Sequence, residues 1–385
     1  MRARFDLDDP VLATIAWSQL AEPGDLVAGA LVEHLGVSGA LRWVADGGGA
    51  NILRNNKRAS ETLNTAADYW CRRFAELDPA TDLKAGQSIG ATLLLPTNSN
   101  WPKGLKDIGN AAPFGLWVLG DFELAAKQNS VALVGSRAAT AYGEHVTADI
   151  GAGLCDRNFV LVSGGAYGID AAAHRAALAS GGATLAFMAG GIDKLYPPGN
   201  MALLRAIIES GNGAVLAELP PGAVPFKSRF LARNRLIAAI SKATVVVEAA
   251  WRSGALSTAR HAAGLLRPVG AVPGPITSMA SGGCHQLIRD GVAICVTDAA
   301  EIAELANPMG KSEPMDALVP QYPDLSFEAR LVLESLSTRP KQFNTLLINS
   351  NLPLPNLLAA LATLESRGLA KQSGTTWRRP KATPR

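Results

Sequence analysis

The sequence is poor in cysteine, in net charge and in long apolar runs, and each shortage removes a class of protein. Four cysteines (Cys71, Cys155, Cys284, Cys295) in 385 residues include no C-x-x-C pair and no zinc-like spacing to a histidine. That excludes a disulfide scaffold and a structural zinc site, and reads as ordinary buried thiols of a reducing compartment. No uncharged apolar stretch approaches the roughly 20 residues of a membrane helix. No apolar core follows Arg2 and Arg4 as it would in a signal peptide. A cytoplasmic protein with no membrane partner is expected. The formal charge is only +3, too small for binding by bulk charge alone.

Signatures of cofactor and enzyme chemistry are missing too. The turn Gly135-Ser-Arg-Ala-Ala-Thr140 is not G-x-G-x-x-G, and no G-x-x-x-x-G-K-[ST] occurs, which argues against a dinucleotide fold and a P-loop ATPase. His145, His174, His261 and His285 have no metal-ligand company. No cofactor, no metal and no serine-nucleophile elbow are expected.

What is present is a large core. Hydrophobic residues at 48% against 18% charged rule out wholesale disorder, and the length suits two or three domains. Residues 1–80 carry helical periodicity (Val11, Leu12, Ile15, Leu20, Leu26, Leu31, Leu35), broken at Pro23-Gly24 and at the glycines from Gly47, and predict a helical module. Residues 81–120 form a connector whose short apolar runs, around Leu93–Leu95 and Leu116–Gly120, attach to the next domain. From Val131 seven β-rich runs alternate with helix-length segments, at 131–135, 159–163, 184–187, 214–216, 243–247, 268–272 and 292–296. Such alternation demands crossovers and so an α/β, Rossmann-like, doubly wound and mostly parallel sheet, with the domain ending near 306. Residues 307–325, with Pro308, Pro314, Pro320 and Pro323, read as a linker. Residues 326–385 hold three apolar helical faces and then a basic hairpin around Trp377, the pattern of a winged helix.

Ligands of an open parallel sheet bind at the carboxyl ends of its strands, and there the chain is distinctive. The first turn, Gly135-Ser136-Arg137, offers a close-approach glycine, a helix start and a bidentate cation. The second, Ser163 to Asp170, has Gly164, Gly165 and Gly168 and reads as a second anion cradle. Asp170 and His174, four apart, form an acid–base pair or, preferably, a helix-starting carboxylate and a hydrogen-bonded core histidine. The segment from Pro225 to Arg235 places Lys227, Arg229, Arg233 and Arg235 beside Phe226 and Phe230 with no acid. Cations neutralise phosphates while a ring stacks an unpaired base. Arg233 and Arg235, two apart, point away from each other, so one is free to hold phosphate and the other a protein carboxylate. Ser253, Gly254, Ser257 and Thr258 add small donors at a later turn. Between Gly222 and Arg289 nine cations face one acid, Glu248. The site has anion binders and no evident catalyst.

Taken in order, Val134–Arg137, Ser163–Asp170, Gly190–Pro197, Glu218–Gly222, Arg233-Asn234-Arg235, Val247–Gly254 and Ala271–Gly274 resemble the DNA-processing protein A (DprA, Smf) family. The resemblance spans about Leu93 to Val296, with the flanking modules similar to the family's sterile-alpha-motif-like and winged-helix extensions. It implies a non-enzymatic protein that binds single-stranded DNA during natural transformation, protects it and loads the recombinase RecA onto it, as a homodimer. It also implies that Arg137 and Lys227 hold phosphates, that Phe230 stacks a base, and that Arg233, Asn234 and Arg235 line the same pocket. The family's usual proline after that phenylalanine is replaced by Leu231. Two rivals are weaker. A nucleotide phosphoribohydrolase would need a glutamate after its glycine cluster, where Ile169-Asp170 stand. A duplex regulator would need cations on the third C-terminal helix, where residues 355–367 supply only Arg367.

Overall fold

Aspartates set the first helices of the computed structural model, which describes residues 3–48, 57–127, 129–307, 325–336, 340–350, 352–374 and 376–380. Asp9 accepts from the amides of Val11 and Leu12 and starts α1 (Pro10–Leu20). Asp25 does the same for α2 (Leu26–Ala45), which bends at Gly36 (φ 74°). After α3 (Lys57–Phe74), Asp78 caps α4 (Pro79–Ser88). Capping of this kind satisfies helix-start amides that have no partner inside the helix. The helices close on Trp17, whose ring meets Trp70 edge-on with centroids 5.3 Å apart.

The sheet follows as β1 (Thr92–Leu94), β2 (Leu116–Gly120), β3 (Ser130–Val134), α5 (Ala141–Asp156), β4 (Val160–Ser163), α6 (Ile169–Ala179), β5 (Thr184–Gly191) and α7 (Met201–Glu209). It continues with β6 (Gly213–Leu219), α8 (Lys227–Ile240), β7 (Ala243–Val246), α9 (Ala255–Gly264), β8 (Val269–Ala271), α10 (Gly282–Arg289), β9 (Ile294–Cys295) and α11 (Ala299–Ala306). The spatial order is β1-β2-β6-β5-β4-β3-β7-β8-β9. β3 to β9 run parallel, while β2 joins β6 and β1 joins β2 antiparallel. The doubly wound α/β sheet expected from the alternating runs is therefore present, with the connector strands on its edge.

The unbroken apolar runs reflect burial on both faces. In β3, Val131 and Leu133 pack toward α5, α6 and α11, whereas Ala132 and Val134 pack toward α8, α9 and α10. Helices α1–α4 belong to the same unit as the sheet, Met1–Pro308, and a second unit covers Met309–Arg385. That second unit has α12 (Phe327–Ser335), β10 (Lys341–Gln342), α13 (Phe343–Ser350), α14 (Leu354–Ser366), β11 (Lys371–Ser373) and β12 (Thr376–Arg378). β12 pairs with both β10 and β11 over a core that includes Leu357, Leu361 and Trp377. Most of the proline-rich stretch assigned as a linker, 308–324, lies outside the described residues. No helix among the described residues is long and apolar enough to cross a membrane.

Candidate nucleic-acid interface

The chain winds outward from β3 through β4, β5 and β6, then returns by α8 to place β7 on the other side of β3. This reversal opens a crevice at the carboxyl ends of β3 and β7, the position where open α/β sheets bind ligands. A cleft of about 810 Å³ lies there. Its walls are the turn after β3 (Gly135, Ser136, Arg137), the first turns of α8 (Lys227, Phe230, Leu231) and the turn after β7 (Arg252, Ser253, Gly254). Arg233, Asn234 and Thr258 are at its floor.

Three cations converge on it. Arg137, Lys227 and Arg252 are all exposed, and no carboxylate among the described residues forms an ion pair with any of them. The Arg137 guanidinium lies 4.7 Å from the centroid of the half-buried Phe230 ring. Tyr196 approaches Phe230 at 5.9 Å between centroids, with the rings tilted by 53°. A smaller hollow beside the cleft shares Arg137 and Phe230 with Tyr167 and Tyr196. Cation, ring and ring together suit a phosphate and an unpaired base.

The glycines of the second turn have partners inside the fold, although Gly164 also lines the smaller hollow. Gly164 is bare because a Cβ there would stand 2.2 Å from the Arg233 guanidinium. Its amide, with that of Ala166, donates to the buried carboxylate of Asp170. Gly168, at φ 74°, lets its turn pass the Ser136 carbonyl, which a Cβ would meet at 2.2 Å. Gly165 lines neither hollow, and its carbonyl accepts from Asn200 Nδ2 at 2.9 Å. In the expected second anion cradle of Gly164 and Gly165, Gly165 thus lies outside both hollows and Asp170 takes the Gly164 amide. The start of α5 is filled likewise. Glu248, fully buried, accepts from Thr140 N at 2.9 Å and from Thr140 Oγ1 at 2.6 Å, and Thr140 Oγ1 in turn accepts from Gly143 N. Ser136 turns its hydroxyl to its own loop, donating to the Ala138 carbonyl.

Arg233 and Arg235 diverge, as residues two apart on a helix must. Arg233 is buried at the cleft floor, donating to the Phe187 carbonyl beside Asp170. Burial raises the Asp170 carboxyl above its ordinary range while Arg233 pulls it back. Burial brings Arg233 down to about 10 and, with Arg233's own charge, His174 down to about 3. His174 hydrogen-bonds Thr184 Oγ1 through Nδ1 at 2.8 Å, so the core-histidine alternative describes it better than an acid–base pair. Arg235 lies outside the cleft, contrary to its assignment. Its two terminal nitrogens donate to Glu218 at 2.8 and 2.6 Å and its Nε to the Ala111 carbonyl. Asn234 donates to the Gly254 carbonyl at 3.3 Å and ties α8 to the start of α9. Ser257 also lies outside the cleft.

Four contributors were not singled out from sequence: Arg252, Leu231, Tyr167 and Tyr196. Arg252 stands inside the block Val247–Gly254, and its signal was a cation beside Ser253 at a strand-end turn. A different serine, in Gly86-Gln-Ser88-Ile-Gly90, has the spacing of a nucleophile elbow, yet it closes α4 with its hydroxyl on the Ala85 carbonyl rather than sitting at a strand-to-helix turn.

Comparison with known proteins places this geometry in company. Residues 92–307 match the model of the family described as DNA recombination-mediator protein A. A DNA processing protein DprA from Mycobacterium tuberculosis (strain ATCC 25618 / H37Rv) is 41% identical over 386 aligned residues, 96% of this chain and 95% of that one. The X-ray structure of DNA processing protein A from Streptococcus pneumoniae superposes with a TM-score of 0.62 at 33% identity, covering 76% of this chain and 95% of that chain. The DNA processing protein A of Helicobacter pylori, whose structure concerns its single-stranded DNA binding mode, is 29% identical over 56% of this chain and 94% of that chain, with a TM-score of 0.49.

Proposed function

The chain belongs to the DNA recombination-mediator protein A family, and we propose that its cleft holds a single strand of DNA by the phosphates. The observation that carries this reading is the convergence of Arg137, Lys227 and Arg252, without carboxylate partners among the described residues, on one cleft that also holds the half-buried ring of Phe230. Phosphates meet the three long cations, and an unpaired base lies on Phe230 and Tyr196. Paired bases present no free face to such rings, so the strand and not the duplex is favoured. A grip on phosphates reads no base edge, so sequence should matter little. Delivery of the strand to the recombinase RecA, natural transformation as the setting, a homodimer as the acting form and a winged-helix role for the C-terminal unit are supported by the family resemblance. A strand gripped by its backbone keeps its bases available for such a recipient.

The test is a salt-titrated oligonucleotide binding assay. For single strands the log–log salt slope is about −0.7 per phosphate neutralised. The double variant Arg137→Ala, Lys227→Ala should therefore flatten the slope by about 1.4 and weaken all sequences alike. An unchanged slope in a folded double variant would sink the assignment.

A further inference from the structure

Six of the seven tryptophans are buried or half-buried, and Trp251 stands apart with 53% of its surface exposed. It occupies a tight turn after β7, closed by Ser253 N donating to the Ala250 carbonyl at 2.9 Å. Its neighbours on both sides, Ala250 and Arg252, line the cleft. The indole is held in place: Gly282 at the start of α10 leaves room for it, since a Cβ there would stand 2.6 Å from Trp251 Nε1. The Arg289 guanidinium lies 5.9 Å from the indole. An exposed indole seated on Gly282 beside Arg289 forgoes burial that large aromatics otherwise gain.

Strand order gives its place. Along the carboxyl edge of the sheet come β5, β4, β3 and β7, followed in turn by Tyr196, Tyr167, Arg137 and the Trp251-Arg252 turn. Three strand spacings separate the first from the last, about 14 Å at about 4.8 Å each. That equals about four nucleotides at the 3.4 Å rise of a stacked strand, and fewer when the strand is stretched.

We infer that Trp251 is a second stacking platform, taking an unpaired base of the strand as it leaves the cleft past Arg252, with Phe230 and Tyr196 as the first. This rests on the single-strand reading above. The binding track is then bracketed by rings, with its cations between them.

Full-length protein supplies the test, with Trp251 as the exposed reporter. A homopolymeric single-stranded oligonucleotide should quench tryptophan emission in the native chain, and Trp251→Phe should abolish the quench while keeping most of the affinity. Trp251→Ala should weaken binding about tenfold and leave the salt slope unchanged, because no charge is removed. Unchanged affinity in Trp251→Ala, or a quench that persists in Trp251→Phe, overturns the inference. So does a changed mass of the free Trp251→Ala protein, which would make the indole a self-association contact. If the Arg137, Lys227 double variant loses affinity while Trp251→Ala does not, the second platform alone fails. If the double variant binds fully, the underlying reading fails.

Discussion

Glu22→Gln provides a test in which two physical effects have opposite signs. Helix α8 carries Lys227 and Phe230 in its first turn, yet Phe226 at its start gives no side-chain cap. Arg229 holds that turn instead. Its guanidinium lies 4.2 Å from the Phe226 ring centroid, its Nη1 donates to the Val224 carbonyl at 2.9 Å, and its Nε and Nη2 donate to Glu22 at 2.9 and 2.8 Å. Glu22 comes from the turn between α1 and α2, so the N-terminal helices brace the binding helix. The Arg229 side chain is 15% exposed and that of Glu22 55%, which puts this two-pronged pair near the top of the surface range, about 1 kcal/mol. Were all of that used to keep the first turn in its binding pose, losing it would weaken binding about fivefold. Plain electrostatics argues the other way. Were a bound phosphate about 10 Å from Glu22, removing that negative charge would favour binding by about 0.4 kcal/mol in water before salt screening, and less after it. Fluorescence anisotropy at fixed salt decides the sign, and amide exchange over residues 224–231 should rise in parallel. Equal or tighter binding by folded Glu22→Gln refutes the brace.

Arg235→Ala should destabilise the first unit by about 3–5 kcal/mol in a denaturant titration, because Glu218 is left buried without its partner. Its salt slope for single strands should match that of the native chain, and a flatter slope would return Arg235 to the phosphate contacts. His174, held down to about 3 against an ordinary 6.5, stays neutral when folded while the unfolded chain takes up a proton below 6.5. Its contribution is therefore complete above pH 6.5 and is lost as pH falls toward 3, at about 1.4 kcal/mol per pH unit. Between pH 7 and 5 the native chain should lose about 2 kcal/mol more stability than His174→Gln, and equal losses would refute the assignment.

Much of the fold was legible because burial on both faces leaves an unbroken apolar run, as in Val131–Val134 and Thr244–Val247. The short strands were less so. β10 has two residues and no periodicity, whereas β9, exposed at Ile294 and Cys295, was legible only as part of the longer run 292–296. In the site, Arg137 and Lys227 were readable from composition and order along the chain and Phe230 from the family resemblance, whereas Arg252 was passed over. The glycines misled for a definite reason: a glycine signals that something comes close without saying what. At Gly164 the visitor is Arg233, from α8. The divergence of Arg233 and Arg235 was also visible, but not which of them turned inward, since that depends on Glu218 in β6. Nothing local could pair Glu22 with Arg229, which meet only when the first helices fold back onto α8.

Asp170 and Glu248 have one more consequence. A main-chain nest presents fixed donors and admits a single anion shape, as a cofactor's pyrophosphate requires. Here those donors already serve the protein's own acids, and on the single-strand reading proposed above recognition passes to three long, hinged side chains on separate turns. Such fingers tolerate a polymer whose sugar pucker and torsions vary from link to link, and they set no premium on where along its length the grip is taken.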